Sequence, residues 1–168
     1  MVASKICASL RVIAAALALT LGLWAGAAYA QDREAPYWAS LRFDEVNMRA
    51  GPSQDYPIEW VYRRKGMPVR VVRLREGWRL VEDPEGTQGW IERSQLSTAL
   101  GAMIIGEGLA ELRAAPTAAS PLRWRAEPGV VAALIRCREG FCEIEAGGRT
   151  GWVVQDRLWG AGELEVPE

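Results

Sequence analysis

The sequence lacks the side chain best suited to moving protons at neutral pH, because none of its 168 residues is histidine. This absence excludes Ser-His-Asp and Cys-His catalysis and any histidine-ligated zinc site. Two carboxylates alone can hydrolyse a glycoside, but Asp83, Glu85 and Glu92 are scattered near one turn, without a spacing that pairs an acid with a base. We therefore predict a protein that is not an enzyme, with no catalytic residue, no metal site and no cofactor.

Aromatic and basic residues indicate binding instead. The chain contains eight tryptophans, and large aromatic side chains line both cores and binding surfaces. Arg63, Arg64 and Lys65 form a basic run directly after Tyr62, and such a run can hold the carboxylates of a ligand or an acidic partner surface. The alternative is an ordinary solvated loop, since most charge runs have no specific partner.

The first 30 residues have the pattern of a secretory signal peptide. Lys5 and Arg11 are followed by an apolar run from Val12 to Ala28, with no acidic residue, and residues 28–30 (Ala-Tyr-Ala) form an A-x-A cleavage site. The run is short for a retained membrane helix and lacks stop-transfer charges. We expect cleavage after Ala30 and export to the periplasm or cell envelope, with the membrane contacted only through the cleaved segment.

The charge balance argues against nucleic acid as a partner. Removing Lys5 and Arg11 from the 20 basic residues leaves 18 against 21 acidic ones, a net charge of −3. Nucleic-acid binding depends on a positively charged surface that displaces counterions from phosphates. We therefore expect no nucleic-acid partner.

Two cysteines remain after the predicted cleavage, since Cys7 would leave with the signal peptide. Cys137 and Cys142 bracket a four-residue loop that contains a glycine. In an antiparallel hairpin, residues that flank such a loop lie opposite each other, close enough for a bridge. In an exported protein we predict a structural disulfide between them, with two buried free thiols as the alternative. A redox-active pair is not expected because the spacing is not C-x-x-C.

The chain repeats itself, which predicts two copies of one unit of about 60 residues. Five blocks recur in the same order: residues 48–53 and 112–117, 57–60 and 121–124, 75–78 and 138–141, 89–91 and 151–153, and Leu96 and Leu158. Each unit contains short β-branched runs separated by Gly/Pro turns, a pattern typical of a small barrel or sandwich. Because no flexible linker separates the copies, we expect them to pack against each other.

Positions that recur in both copies are predicted to be structural. Trp60 and Trp90 recur as Trp124 and Trp152, so we predict that they pack in the core or at the edge of the barrel. Arg49 recurs in the same way, and we expect its guanidinium to bind a carboxylate or carbonyl groups across the barrel.

Positions that differ between the copies are the candidate ligand contacts. Tyr56 and Tyr62 are replaced by Ser120 and Ala126, which favours a binding role for the two tyrosines. Trp78 can be either a packing residue or a ligand contact, because rigid aromatics serve both purposes.

Several motifs resemble those of bacterial SH3-like (SH3b) domains. Residues 47–53 (NMRAGPS) look like the N-x-R-x-G-P motif that opens such domains, and residues 56–68 (YPIEWVYRRKGMP) are similar to the signature of an alphaproteobacterial subfamily of exported SH3-like proteins. The similarity continues through residues 76–78, 86–90, 93–97, 137–142, 151–152 and 158–160. Phe141 departs from the pattern, since tryptophan is usual there.

The resemblance covers about Pro36 to Gly160 and implies two small β-barrels in the cell envelope. Related domains serve as cell-wall or peptide-binding modules, often beside a hydrolase domain. The predicted organisation is a signal peptide at residues 1–30, SH3-like domains at 36–98 and 101–160, and a tail at 161–168.

We therefore predict an all-β protein of two tandem SH3-like small β-barrels after an N-terminal signal peptide. Its predicted function is non-enzymatic binding of peptidoglycan or a wall-associated peptide, by a monomer. The predicted ligand site consists of Tyr56, Tyr62, Arg63, Arg64 and Trp78. A protein-interaction adaptor for an envelope protein and a carboxylate-based envelope hydrolase are the alternatives.

Overall fold

A computed structural model describes residues 33–162 of the chain. The predicted signal peptide at residues 1–30 and residues 163–168 of the predicted tail lie outside the described residues. Within 33–162, no helix is long and apolar enough to span a membrane. The regular structure there consists of strands and two single turns of 3₁₀ helix, Arg93–Gln95 and Gln155–Arg157.

The first half of this region forms one antiparallel sheet. Its seven strands are β1 (Tyr37–Leu41), β2 (Val46–Arg49), β3 (Ile58–Tyr62), β4 (Pro68–Arg75), β5 (Trp78–Glu82), β6 (Gln88–Glu92) and β7 (Leu96–Ser97). Their order in the sheet is β3-β2-β6-β5-β4-β1-β7. The first strand therefore pairs with the last, and β3 lies at one end of the sheet.

The second half repeats this plan strand by strand. Its strands are β8 (Gly101–Ile104), β9 (Ala110–Arg113), β10 (Leu122–Ala126), β11 (Val131–Arg138), β12 (Phe141–Ala146), β13 (Arg149–Val154) and β14 (Leu158–Trp159). Their order, β10-β9-β13-β12-β11-β8-β14, is the order of the first sheet with every strand number raised by seven. The predicted all-β fold with two copies of one unit is confirmed.

Alternation of apolar and charged residues explains how β4 is placed. Val69 and Val71 are fully buried, while Arg70 between them faces the other side, as the two-residue period of a strand requires. Arg70 Nη2 lies 2.6 Å from Oε1 of Glu82, its partner across β4 and β5. Burial acts to raise the pKa of Glu82, but hydrogen bonds from Gln88 and Arg70 outweigh it and hold that pKa below its usual range.

Two tight turns shape the long hairpins. Glu76-Gly77 joins β4 to β5 and Glu139-Gly140 joins β11 to β12, and all four residues have positive φ. A two-residue turn of this kind matches the twist of antiparallel strands. The four-residue loop predicted between the cysteines is wrong in length, because the strands extend to Arg138 and Phe141.

The matched arginines brace the loop between the second and third strand of each domain. Arg49 Nη1 donates to the carbonyl oxygen of Tyr56, and Arg113 Nη1 donates to that of Ser120, each at 2.7 Å. The two bonds span the same seven residues. The prediction that Arg49 binds a carbonyl group is confirmed, but that carbonyl lies in the adjacent loop and not across the barrel as expected.

The two domains touch directly, as the short connection between them predicts. Only residues 98–100 separate β7 from β8. The rings of Trp38 and Trp159 meet edge to face with 4.9 Å between centroids. Gly101 lies so close to the carbonyl oxygen of Gly66 that a Cβ on Gly101 would collide with it.

The disulfide predicted from the sequence is present between Cys137 and Cys142, which are partners across β11 and β12. Reducing it should lower the free energy of unfolding by about 2 kcal/mol, because the unfolded chain then regains the freedom of a small closed loop. Urea unfolding with and without reductant measures this change. The control is Cys137→Ala/Cys142→Ala, whose stability should not respond to reductant. Equal stability of the native protein under both conditions would contradict the prediction.

Candidate functional site

A cavity of about 610 Å³ lies beside β3, at the side of the first domain that faces the second. We call it the Trp60 cavity. Nine of its lining residues belong to the first domain, namely Trp60, Val61, Tyr62, Arg63, Arg64, Met67, Asp83, Glu85 and Thr87. Met103 lines it from the second domain. The cavity therefore combines aromatic surface, two arginines and two carboxylates around one opening.

Trp60 is the exposed aromatic side chain of this cavity. It lies on β3 and is 57% exposed, which is high for so large an apolar residue. Trp60 is therefore not a core residue and lies at the edge of its sheet, which was the other position predicted for it. Trp90, which was predicted to pack in the same way, is half-buried on β6. The recurrence of a tryptophan identified the shared position but not the direction of its side chain.

Tyr62 forms part of the floor of the cavity. It is only 5% exposed, and its hydroxyl donates to Oδ2 of Asp83 at 2.8 Å. Burial, followed by the hydrogen bond to Asp83 and the charges of Asp83 and Glu85, raises the pKa of Tyr62 well above its usual range. Tyr62 is therefore a protonated hydrogen-bond donor within the core, not the exposed ligand contact that its absence from the second copy indicated.

Asp83 accepts three hydrogen bonds from its own surroundings. Besides the Tyr62 hydroxyl, it accepts hydrogen bonds through Oδ1 from the backbone N–H groups of Glu85 and Thr87, at 3.1 and 2.8 Å. A buried carboxylate needs such donors to offset its lost hydration. Asp83 thus holds the turn between β5 and β6 in place and leaves Glu85 and Thr87 on the cavity wall.

Arg63 and Arg64 follow β3 and have different partners. Arg63 Nε lies 3.4 Å from Oε2 of Glu45, and both side chains are exposed, so this pair holds Arg63 weakly. Arg64 Nη1 donates to the carbonyl oxygen of Gly129 in the second domain at 2.5 Å. Arg64 therefore links the domains at the same point where it lines the cavity.

Tyr56 and Trp78 lie elsewhere. Trp78 lines a separate cavity of about 500 Å³, together with Ser53, Asp55 and Glu92. The ring of Tyr56 covers Gly51, where a Cβ would come within 2.5 Å of it. The structure thus brings Tyr62, Arg63 and Arg64 together but does not place all five predicted residues around one cavity.

The comparison with known proteins decides the family. A model of the bacterial SH3 domain matches residues 43–98 and again residues 106–160, which together make up more than half of the chain. The chain belongs to the bacterial SH3 domain family. Domains of this family are typically cell-wall binding modules, and the family is one of binding domains.

Among solved structures, the chain is similar to NlpC2 and NlpC1 from Trichomonas vaginalis. The match to NlpC2 has 14% identity and a TM-score of 0.34, covering 76% of this chain and 49% of that chain. The match to NlpC1 has 13% identity and a TM-score of 0.34, covering 77% and 47%. The chain thus spans about half the length of these structures. No curated protein matches it.

The second SH3 domain has a cavity at the matched position, with different chemistry. It measures about 530 Å³ and includes Trp124, Ala126 and Ala146. Trp124 corresponds to Trp60, but its indole N–H donates to the carbonyl oxygen of Thr150 at 3.1 Å. Ala126 and Ala146 stand where the first SH3 domain has the hydrogen-bonded pair Tyr62 and Asp83. The two domains therefore share a scaffold and differ at this site.

Sequence reasoning missed several residues of the Trp60 cavity. Asp83 and Glu85 drew attention only as possible acids and bases, although the Asp-Pro-Glu-Gly turn is a recognisable hydrogen-bonding unit. No sequence pattern indicated that Met67 belongs to a binding site. Met103 reaches the cavity from the second SH3 domain, so the role of Met103 depends on contacts between distant parts of the chain. Within residues 33–162, no group of three or more histidine, cysteine or acidic side chains is arranged to hold a metal ion.

The hydrogen bond from Tyr62 to Asp83 predicts how stability depends on pH. Because the pKa of Tyr62 is higher in the folded chain, the unfolded chain loses this proton first as the pH rises above about 10. The free energy of unfolding should therefore fall above that pH, by at most about 1.4 kcal/mol per pH unit. Urea unfolding between about pH 9 and 11 measures it.

Tyr62→Phe should remove this alkaline loss and cost about 1–2 kcal/mol at neutral pH, because the Asp83 carboxylate loses a donor. Tyr56→Phe, which removes the hydroxyl of an exposed tyrosine, is the control. The assignment is wrong if Tyr62→Phe and the native protein lose stability in parallel above pH 10.

Proposed function

We propose that this protein is an exported, non-enzymatic module that binds peptidoglycan through the Trp60 cavity. The observation that carries the proposal is the exposed ring of Trp60 beside Arg63 and Arg64, at a cavity of about 610 Å³. Membership of a family of cell-wall binding domains supports the choice of ligand.

The side chains of the cavity suit the chemistry of the wall. The face of an exposed tryptophan offers rigid apolar surface to a sugar ring or to the apolar part of a stem peptide. Arginine guanidinium groups bind carboxylates through paired hydrogen bonds, and the stem peptides carry free carboxylates. Because the contact of Arg63 with Glu45 is exposed on both sides, Arg63 can turn to a ligand at little cost.

Arg64 can contribute to ligand binding while it also links the two SH3 domains. A guanidinium has five N–H donors in a fixed plane, and the bond to Gly129 uses Nη1. That bond fixes the position of the group, which lowers the entropy lost when its other donors meet a ligand. A site built at the contact between the domains gives a reason for the tandem arrangement.

Binding without turnover is the activity that these residues support. Asp83 is the buried carboxylate of the cavity, and its two oxygens accept three hydrogen bonds from Tyr62, Glu85 and Thr87. A general base has to reach the proton that it removes, whereas these three bonds direct most of the acceptor capacity of Asp83 to Tyr62 and to its own turn. Tyr62, with its raised pKa, keeps its proton at physiological pH and is equally unsuited to act as a base.

Retention on purified peptidoglycan sacculi tests the proposal. Trp60→Ala should weaken retention by about 10-fold or more, because a central aromatic anchor is lost, and Arg63→Ala should weaken it in a way that added salt reproduces. Trp124→Ala, the matched change in the second SH3 domain, and Arg125→Ala, which removes an exposed arginine of that domain, are the controls and should be retained like the native protein.

Failure of the native protein to be retained at any salt concentration would refute wall binding. An envelope protein captured in its place, with the same dependence on Trp60, would support the adaptor alternative. Release of soluble muropeptides by the pure protein would contradict the non-enzymatic assignment.

Export predicts a defined N-terminus. We expect the protein recovered from the periplasmic fraction to begin at Gln31, because cleavage follows the small residue of the A-x-A site. Intact-mass measurement checks this, and Ala30→Phe, which places a bulky side chain at the cleavage site, should block processing. Recovery of the full-length chain from the cytoplasmic fraction alone would contradict export.

A further inference from the structure

Exposed apolar side chains are concentrated in one short segment of the first SH3 domain. Ten large apolar side chains are exposed in the described residues, and four of them lie between positions 56 and 61. They are Tyr56, Ile58, Trp60 and Val61, at 47, 46, 57 and 37% exposed. The Trp60 cavity accounts for Trp60 and Val61, but it does not include Tyr56 or Ile58. A clustered apolar surface of this kind usually marks a contact with another molecule.

The same segment is the open edge of a sheet. β3 pairs with β2 on one side, and among residues 33–162 no strand pairs with its other side. The backbone N–H and C=O groups along such an edge can pair with a strand from another chain. An exposed apolar surface and an unpaired backbone edge therefore coincide on β3.

The matched strand of the second SH3 domain lacks this combination. β10 is also an edge strand, but Arg123 and Arg125 stand where β3 has Glu59 and Val61. Charged side chains, and arginine or lysine above all, protect edge strands from pairing. The indole N–H of Trp124 is also occupied within its own domain. β3 thus carries one charged side chain, Glu59, where β10 carries two, so the less protected edge is a property of β3 and not of the scaffold.

The charges around β3 are arranged so that the strand complements itself. Acidic residues lie towards its start, at Asp55 and Glu59, and basic residues follow its end, at positions 63–65. Two copies of β3 in antiparallel orientation bring each acidic end against the other copy's basic end. Parallel pairing would instead place like charges side by side, at a cost in free energy.

We infer that β3 pairs antiparallel with β3 of a second copy of this chain, which makes the protein a homodimer. The register that fits the charges is centred on Val61, in the regular part of β3 at residues 60–62, away from the bulge between Ile58 and Trp60. Glu59 of each copy then lies opposite Arg63 of the other. An isologous pairing of this kind closes on itself and ends at two copies. The monomer expected from the sequence is replaced by this proposal.

In the dimer the second copy would cover Trp60. The wall ligand and the second copy would therefore compete for this side chain. The dimer is independent of the proposed function in its test, because the test uses pure protein without wall material. A protein that dimerises, but is not retained on sacculi even at concentrations where it is a single chain, would overturn the wall proposal alone. Retention of a protein that stays a single chain at every concentration would overturn the dimer alone.

Sedimentation of the protein isolated after export, from about 1 μM to about 1 mM, measures self-association. We expect the mass to rise with concentration towards twice that of one chain. Val61→Arg gives β3 the residue found in β10 and should raise the dimer dissociation constant by ~10-fold or more, because two arginines then face each other. Arg125→Val, the reverse change in β10, is the matched control and should leave the dissociation constant of the native dimer unchanged.

Exchanging the charges at positions 59 and 63 tests whether the two copies of β3 pair in antiparallel orientation. Glu59→Arg alone should weaken the dimer, and Glu59→Arg/Arg63→Glu should restore it, since the pairing is then reversed but complementary. On mild oxidation Val61→Cys should form a disulfide between two chains, whereas Arg125→Cys should not. A single-chain mass at every concentration, or a dimer that Val61→Arg does not weaken, would overturn the proposal. A dimer without the Val61→Cys cross-link would overturn its register.

Discussion

The close approach of Gly101 to the carbonyl oxygen of Gly66 is the contact on which the relation between the two SH3 domains depends. A side chain at position 101 would collide with that oxygen, and one at Gly160 would come within 2.6 Å of the Cβ of Pro68 in the first domain. Because only three residues separate β7 from β8, the domains have little freedom to find another arrangement. This packing brings Met103 to the Trp60 cavity and Gly129 within reach of Arg64. The candidate site is therefore a product of two domains, although most of its residues belong to one.

The two SH3 domains have the same supporting frame and differ at the site. The bond from Arg49 to the carbonyl of Tyr56 and the bond from Arg113 to that of Ser120 have the same length and span, so the supporting geometry is the same in both copies. At the floor of the cavity, a hydrogen-bonded tyrosine and aspartate in one domain correspond to two alanines in the other. Such a change alters polarity and volume without disturbing the sheet, because these side chains lie beside the shared frame.

Short-range features were predictable from the sequence, and long-range ones were not. The disulfide and the repeated strands depend on spacing within a few residues, and the alternation in β4 shows its buried face directly. The predicted site combined Tyr56 and Trp78 with Tyr62, Arg63 and Arg64, although the last three line a different cavity. Which side chains share one cavity depends on how separate strands and loops pack, and the sequence does not show that packing. Tyr62 was assigned to ligand contact for a related reason, because its burial comes with a hydrogen bond to Asp83, 21 residues further along the chain. Met103 could not be assigned to the site from its neighbours in sequence, because its place in the cavity comes from a contact between domains.

In each SH3 domain the first strand pairs with the last. The sheet of a growing chain is therefore complete only after the last strand has been synthesised. β1 pairs with β7 in the first domain, and β8 pairs with β14 in the second. Domains generally fold as units, with the N-terminal unit first. The first sheet has all seven strands once Ser97 is available, whereas the second must wait for Trp159. Met103 and Gly129 belong to that later unit, so the Trp60 cavity and the anchor of Arg64 are completed only when the second domain has closed.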